Sequence, residues 1–358
     1  MELFWTILQF VLVFGVLLLA HETGHFIMCR IAKVPVEEYG IGLPPRILTL
    51  FHWQGTAFTL NALPFGAFVR PRGEVDRAVE GGLANATPIK KLGVYLGGPV
   101  MNLLLGLILL IILFYQLGTP DTSKVIISEV APQSPALLSG LQAGDQITAI
   151  NTTMVDDITV LQTAVTAHLG EEIQITVLRG SEQFVLTATP RINPPENQGA
   201  LGIILTYPYS KVTIFEAIST GFSSTYEQIK GFVLLPGRLL AGTITKDESR
   251  VVGIKGMYDM YTAAGEADAT ASGGASQAAP IFRLGFIASI SIALGLTNLL
   301  PIPALAGGRI VLVLPELFIR RRIPQKVENY LISISFIALL LLMVIITYFD
   351  FANPVIIR

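Results

Sequence analysis

The chain has 358 residues, of which 52% are apolar and only 14% charged, and its formal net charge is −2. So little charge spread over so much apolar sequence excludes an ordinary soluble domain, and a balance this close to zero excludes a nucleic-acid partner held by a basic surface. The single cysteine, Cys29, excludes an internal disulfide framework.

Residues 3–20 form an apolar run interrupted only by Thr6 and Gln9. No basic segment precedes it and no small-residue cleavage site follows, so residues 1–30 read as a first transmembrane helix rather than a removable signal. The run continues directly into His21-Glu22-Thr23-Gly24-His25. On a helix, His21 and His25 stand one turn apart on one face and can share a metal ion, with Glu22 beside them as a general base. Ionisable groups at membrane depth are costly to keep, which favours a functional centre over a histidine pair reaching for headgroups. Cys29 would lie about 12 Å from His21 along such a helix, too far for one tetrahedral site.

Arg30, Lys33, Arg46, Arg70, Arg72, Arg77, Lys90 and Lys91 put residues 31–91 on the cytoplasmic side and the N-terminus outside. Within this segment, residues 46–53 and 56–63 are β-prone and flank Gln54-Gly55, the signature of a hairpin. Its apolar content suits two arrangements equally. One is a membrane-associated hairpin whose edge pairs with an extended substrate; the other is a small hairpin packed on the helices. The second span, 92–118, opens with Gly97-Gly98-Pro99 and then Asn102. Glycines permit close helix approach, and a buried Asn needs a partner, so this end is expected to pack on the active centre.

Residues 121–191 read as a soluble α+β insert on the extracytoplasmic side. The stretch from Ser134 to Ile147, with Gly140-Leu141-Gln142-Ala143-Gly144-Asp145 at its centre, resembles a PDZ domain of the bacterial protease type. That resemblance implies capture of peptide ends by strand addition, or a steric filter. Residues 207–262 carry Ile214, Phe215, Ile218, Phe222, Ile229 and Val233 at near-helical spacing and read as an amphipathic interfacial helix region. Residues 263–280, rich in Ala, Gly and Ser, read as a flexible linker. The third span, 281–308, runs into Asn298-Leu299-Leu300-Pro301-Ile302-Pro303-Ala304-Leu305-Ala306-Gly307-Gly308. Pro301 and Pro303 break the helix, so the freed backbone groups must face protein or a cavity. Arg320, Arg321, Arg322 and Lys326 mark 309–329 as a cytoplasmic loop, and 330–349 spans outward again.

The expected fold is therefore a polytopic α-helical membrane protein with four transmembrane helices, a membrane-associated β-hairpin and one inserted extracytoplasmic α+β PDZ domain. The histidine motif, Gly98-Pro99 with Asn102, the insert and the stretch 298–308 together resemble the site-2 protease family of intramembrane zinc metalloproteases, in its bacterial single-PDZ form. The resemblance implies Zn²⁺ held by His21, His25 and the Asp of a family motif N-x-x-P-x-P-x-L-D-G. It also implies that Glu22 takes a proton from a bound water, and that Asn102, Asn298, Pro301 and Pro303 bind the unwound substrate. At the Asp position this chain has Ala306. Two imidazoles fall short of the usual three protein ligands, so the resemblance implies a protease impaired or inactive as written. The alternative is a catalytically inactive, PDZ-bearing membrane scaffold. The implied partners are single-span membrane substrates of the anti-sigma-factor or signal-peptide-remnant type, peptide ends at the PDZ domain, and the lipid bilayer. The implied location is the bacterial inner membrane, with both termini and the PDZ domain extracytoplasmic and the active site toward the cytoplasm.

Overall fold

The computed structural model describes residues 1–195, 198–244, 250–271 and 280–353. In chain order its elements begin with α1 (Glu2–Ala32), β1 (Val36–Trp53), β2 (Thr56–Pro71), α2 (Pro88–Leu117) and β3 (Thr119–Pro120). Next come β4 (Val125–Val130), α3 (Pro135–Leu138), β5 (Gln146–Ile150), β6 (Thr153–Met154), α4 (Ile158–Ala167), β7 (Ile173–Arg179) and β8 (Glu182–Ala188). The chain ends with β9 (Ile203–Thr206), β10 (Tyr209–Ser210), α5 (Ile214–Leu240), α6 (Ile254–Ala271), α7 (Ile281–Asn298), α8 (Ala306–Ile319) and α9 (Gln325–Ala352). Among the described residues four helices, α1, α2, α7 and α9, are long and apolar enough to cross a membrane. The chain divides into two compact units, one of Met1–Leu113 with Ile218–Arg358, the other of Phe114–Ala217.

In the first unit, small residues decide how the helices meet. A Cβ on Gly24 would run into the Gly97 carbonyl, and one on Gly97 into the Gly24 backbone, so α1 and α2 touch main chain to main chain. On the other side of α2, Gly295 of α7 lies against the Pro99 carbonyl, and the Ser291 hydroxyl donates to the Asn102 carbonyl at 2.8 Å. The Gly/Asn end of α2 is thus wedged between α1 and α7.

The strands β1 and β2 pair antiparallel around a turn in which Gln54 and Gly55 both have positive φ, the backbone that a tight two-residue hairpin requires. Both run further than residues 46–63. Residues 38–41 of β1 are flanked by 57–60 on one side and by 67–70 on the other, so the ribbon doubles back on itself. Glu38 is buried in this fold, where Arg46, Arg70 and the Thr59 hydroxyl surround its carboxylate at 2.7–3.0 Å. The prolines at 44, 45 and 64 lie inside these longer strands.

Three segments differ from the sequence reading. Residues 263–271, expected in a linker, complete helix α6; Ala is the strongest helix former, and Tyr261 anchors the helix against Phe10 of α1 and Phe286 of α7. The remainder of that linker, 272–279, lies outside the described residues. The region 207–262, expected as an amphipathic helix region, holds β10, α5 and the start of α6, and α5 covers the residues at near-helical spacing, Ile214 to Val233. The expected cytoplasmic loop 309–329 begins as helix: α8 continues to Ile319 because the basic residues that marked the loop, Arg320 to Arg322, come only after its apolar run. Glu316 anchors α8 through Lys91 at 2.8 Å and Arg322 at 2.7 Å.

Carboxylates from neighbouring helices close the open helix ends. Asp268 of α6 accepts the Phe282 and Arg283 N–H groups of α7 at 2.7 and 3.1 Å. Asp350 of α9, only 1% exposed, accepts the N–H groups of Gly253 and Gly256 at the start of α6 at 2.9 and 3.0 Å. Losing a helix cap costs about 0.5–2 kcal/mol, and the stranded donors add to it. Asp350→Ala is therefore expected to speed hydrogen exchange across the first turns of α6 and to lower the melting point of the full chain. Unchanged exchange there would remove this role.

In the second unit the strands order as β8-β7-β5-β4-β9, with β6 paired to β5, and among the described residues these pairings are all antiparallel. Val125, Ile127, Leu141, Ile147, Ile173, Ile175 and Val177 form the buried core, alternating along the strands as a half-buried sheet requires. The sheet outruns the sequence boundary at 191, since β9 adds a strand beside β4. Ser134 caps α3 through the Leu137 N–H at 3.1 Å, and Asp157 caps α4 through the Thr159 N–H at 2.7 Å. Asp145 is buried; its desolvation works against the charge, but Arg179 and the Gln142 N–H outweigh it and hold the carboxyl below its ordinary 3.8. A depressed folded-state pKa contributes stability that is present above the unfolded value and lost as pH falls through the folded one. The melting point of this unit in the full chain is expected to fall as pH drops below about 4, and Asp145→Asn to flatten that dependence.

Candidate metal centre

The apolar span α1 carries its polar motif into a cavity of about 330 Å³ lined by His21, Glu22, His25, Val69, Glu74, Tyr95, Asn298, Ala306 and Arg309, with other residues. Helical spacing brings the two histidines to one face, and their Nε2 atoms stand 3.2 Å apart. Two ligands of a tetrahedral zinc at about 2.0–2.1 Å would be about 3.3–3.4 Å apart, so the pair matches one edge of such a site. The Nδ1 atom of His25 faces the Val94 carbonyl oxygen at 2.6 Å. A carbonyl only accepts, so Nδ1 carries the proton and Nε2 keeps its lone pair for a metal. Opposite the pair is Gly98, where a Cβ would lie 2.5 Å from each Nε2. The absence of a side chain at Gly98 is what leaves room at the two nitrogens.

Glu22 leans from α1 toward the hairpin. Its Oε2 accepts the Val69 N–H of β2 at 2.9 Å. One residue on, the Thr23 hydroxyl meets the Tyr39 hydroxyl at 2.8 Å, and the Tyr39 hydroxyl also reaches the Leu19 carbonyl at 3.2 Å. The hairpin is thereby bonded to α1 at the height of the motif.

Ala306 lies on the same cavity, as the first residue of α8. It is brought there by the break after α7. Leu305 donates back to Ile302 at 2.8 Å, and side chains on Gly307 or Gly308 would collide with the carbonyls of Leu299 and Ile302. Pro301 and Pro303 make this turn rather than line the cavity. Asn298 does line it, with its Nδ2 donating to Leu294 at 2.8 Å. Asn102 does not: it is 1% exposed, and its Nδ2 stands 3.3 Å from His21 Nδ1. Asn102, expected to hold substrate, is here packed behind the histidine and is not among the residues lining the cavity. Cys29 is fully buried, with no part in the cavity.

The donor set fits a metal on two corners. Among the described residues no group of three His, Cys, Asp or Glu side chains is arranged to hold an ion. The carboxylate that sequence reading missed, Glu74, lines the cavity but is ion-paired with Arg309, whose guanidinium lies 5.8 Å over the Tyr95 ring. No local pattern marks Glu74 or Val69; only the packing of β2 and of the chain just after it against α1 brings them to the motif.

The family described as Peptidase family M50 matches residues 9–342. A Clostridium acetobutylicum protein whose name includes "zinc metalloprotease" is 30% identical over 354 residues, spanning 98% of this chain and 99% of its own. Zinc metalloprotease RasP of Geobacillus kaustophilus is 25% identical over 426 residues, spanning 96% of this chain and 97% of its own. Regulator of sigma-W protease RasP of Bacillus subtilis is 24% identical over 427 residues, spanning 96% and 98%.

Proposed function

This chain belongs to peptidase family M50, and we propose that it has the machinery of an intramembrane zinc metalloprotease for single-span membrane proteins, disabled at Ala306. The observation that carries this reading is the pair of Nε2 atoms 3.2 Å apart, facing a glycine, with Glu22 adjacent on an apolar spanning helix. His21 and His25 would hold Zn²⁺, which when bound supplies Lewis acidity to a peptide carbonyl and to water. Glu22 has Oε2 committed to Val69, which leaves Oε1 to take a proton. Asn298, donating through Nδ2 to its own helix, turns its amide oxygen to the N–H groups of an unwound substrate. Peptide bonds within a helix are hydrogen-bonded and shielded, so a substrate span must open before it is cut. The hairpin, held to α1 beside Glu22, is suited to receive the opened strand by edge pairing.

The second unit is read as a PDZ domain on the Gly140-Leu141-Gln142-Ala143-Gly144-Asp145 run. The edge strand of its sheet, β9, pairs on one side only among the described residues, which supports strand addition of a peptide end. The basic residues flanking α1, α2 and α9 support an inner-membrane topology with termini and PDZ domain extracytoplasmic and the metal centre toward the cytoplasm. A relative named as a regulator of sigma-W supports membrane-held regulators of transcription as one substrate class.

One feature favours a second reading, a protein that binds membrane substrates without cutting them: Ala306 lines the same cavity with no ligating atom, and among the described residues no third ligand joins the two histidines. Incubating a single-span substrate in proteoliposomes with this chain and with its Ala306→Asp form separates the two. Cleavage within the span by the Asp form alone supports the protease machinery; substrate captured but uncut by both forms supports the binding protein.

A further inference from the structure

The turn from α8 to α9 brings exposed cations and exposed apolar side chains together. Between residues 310 and 349 the chain has four cations, Arg320, Arg321, Arg322 and Lys326, and two acids, Glu316 and Glu328. Both acids are already engaged, Glu316 by Lys91 at 2.8 Å and Arg322 at 2.7 Å, and Glu328 by Arg77 at 3.0 Å. Arg320, Arg321 and Lys326 are left exposed, with no ion pair among the described residues. Immediately before them Phe318 and Ile319, the last residues of α8, are 77% and 65% exposed.

The backbone of this turn is fixed even though its side chains are free. Arg320 takes the left-handed conformation that ends α8, and its N–H donates to the Pro315 carbonyl. Arg77 donates to the Ile323 carbonyl at 2.9 Å, and the Gln325 amide donates to the Val75 carbonyl. The cations are therefore presented from a defined place, directly before a helix long and apolar enough to cross a membrane. At such a boundary apolar side chains reach the acyl region while arginine and lysine reach phosphates. A phosphatidylcholine phosphate is neutralised by its own choline, whereas a headgroup with net negative charge leaves its phosphate to the protein. A soluble phosphate would engage the cations alone; the bare Phe318 and Ile319 beside them favour a ligand that carries acyl chains.

We propose that the α8–α9 turn is a binding site for an anionic phospholipid, with Arg320, Arg321 and Lys326 on the headgroup phosphate and Phe318 and Ile319 against the acyl chains. The site is separate from the metal centre and does not depend on that reading. The helix α8 joins the two places, since its first residue, Ala306, lines the metal cavity and its last turn carries the lipid contacts.

The test titrates the full chain in uncharged-detergent micelles with fluorescent phosphatidylglycerol, and separately with phosphatidylcholine of the same chains. The parent is expected to prefer phosphatidylglycerol. Each cation near an anionic surface is worth about fivefold in affinity, so Arg320→Gln with Arg321→Gln should weaken phosphatidylglycerol by about 30-fold. A charge-matched control, Lys33→Gln with Arg72→Gln, alters cations that follow α1 and β2 and should bind like the parent. Raising salt from about 0.1 to 1 M shortens the screening length from about 10 to 3 Å. In the parent that change should weaken phosphatidylglycerol and leave phosphatidylcholine unchanged, a reading that needs no variant to fold. Equal phosphatidylglycerol binding by the parent and the turn variant overturns the proposal. So does an equal loss in the two variants, which would mean a diffuse field in place of a site. Competition by soluble glycerophosphoglycerol as strong as by the lipid itself would overturn the lipid as occupant.

Discussion

The Ala306→Asp chain is expected to bind Zn²⁺ more than about 100-fold more tightly than the chain with alanine, and to cleave a single-span substrate that the latter leaves intact. Removing an outer partner of a metal ligand already costs about 10- to 100-fold in affinity, and a directly bound carboxylate should be worth more. The position is suited to the change: Ala306 opens α8, after the break through Pro301 and Pro303, and lines the same cavity as His21, Glu22 and His25. Glu74 does not substitute, because its charge is taken by Arg309. Glu22→Gln on the Asp background should hold zinc as before and lose about 10²- to 10⁴-fold in cleavage, the range ascribed to general acid–base groups. Zinc content by competition with a chromophoric chelator and product by mass spectrometry read the two effects separately. An Asp form that gains neither zinc nor cleavage would sink the protease reading.

Gly98→Ala should weaken zinc binding by about 5- to 150-fold while leaving the helix bundle assembled. The added methyl would stand 2.5 Å from both Nε2 atoms, inside the space a shared ion must occupy. Overpacking of this kind costs about 1–3 kcal/mol, equivalent to about 5- to 150-fold in affinity if it falls on the metal-bound form alone. In the metal-free protein the methyl also crowds the two imidazoles, but it meets side-chain ring ends that can turn aside. Alanine is also the better helix former by about 0.5–1 kcal/mol, so the melting point should fall less than for a clash with backbone. That separation distinguishes it from Gly97→Ala, where the new Cβ meets the Gly24 backbone and the α1–α2 contact itself must open. Zinc affinity measured beside a metal-free melting curve tests the contrast; full zinc binding by the Gly98→Ala chain would mean that the ion is not shared between the two imidazoles.

The sequence was most legible where one signal has a short range. The spans followed from apolar length, and α1, α2, α7 and α9 lie where that length predicted. The pairing of His21 and His25 followed from one turn of helix, and the turn at Gln54-Gly55 from two residues that tolerate positive φ. The break between α7 and α8 followed from Pro301 and Pro303. Errors came where composition stood in for contacts. The Ala, Gly and Ser content predicts a linker at 263–271, yet Tyr261 and Asp268 tie that helix to its neighbours. Arginines after Ile319 were allowed to colour the apolar helix before them.

By itself the sequence determined which groups are available: two histidines and a glutamate on one helical face, a glycine-rich second span, a proline break, and alanine at position 306. These depend on spacing along a single element, which backbone geometry fixes. Only the tertiary structure decided their roles. It put Asn102 behind His21, bonded Glu22 to Val69, brought Glu74 and Arg309 to the cavity, and faced Gly98 to the two Nε2 atoms. Each of these contacts joins residues far apart in the chain, and depends on how closely backbones approach and which polar atoms remain unpaired when they do, quantities that no local pattern carries.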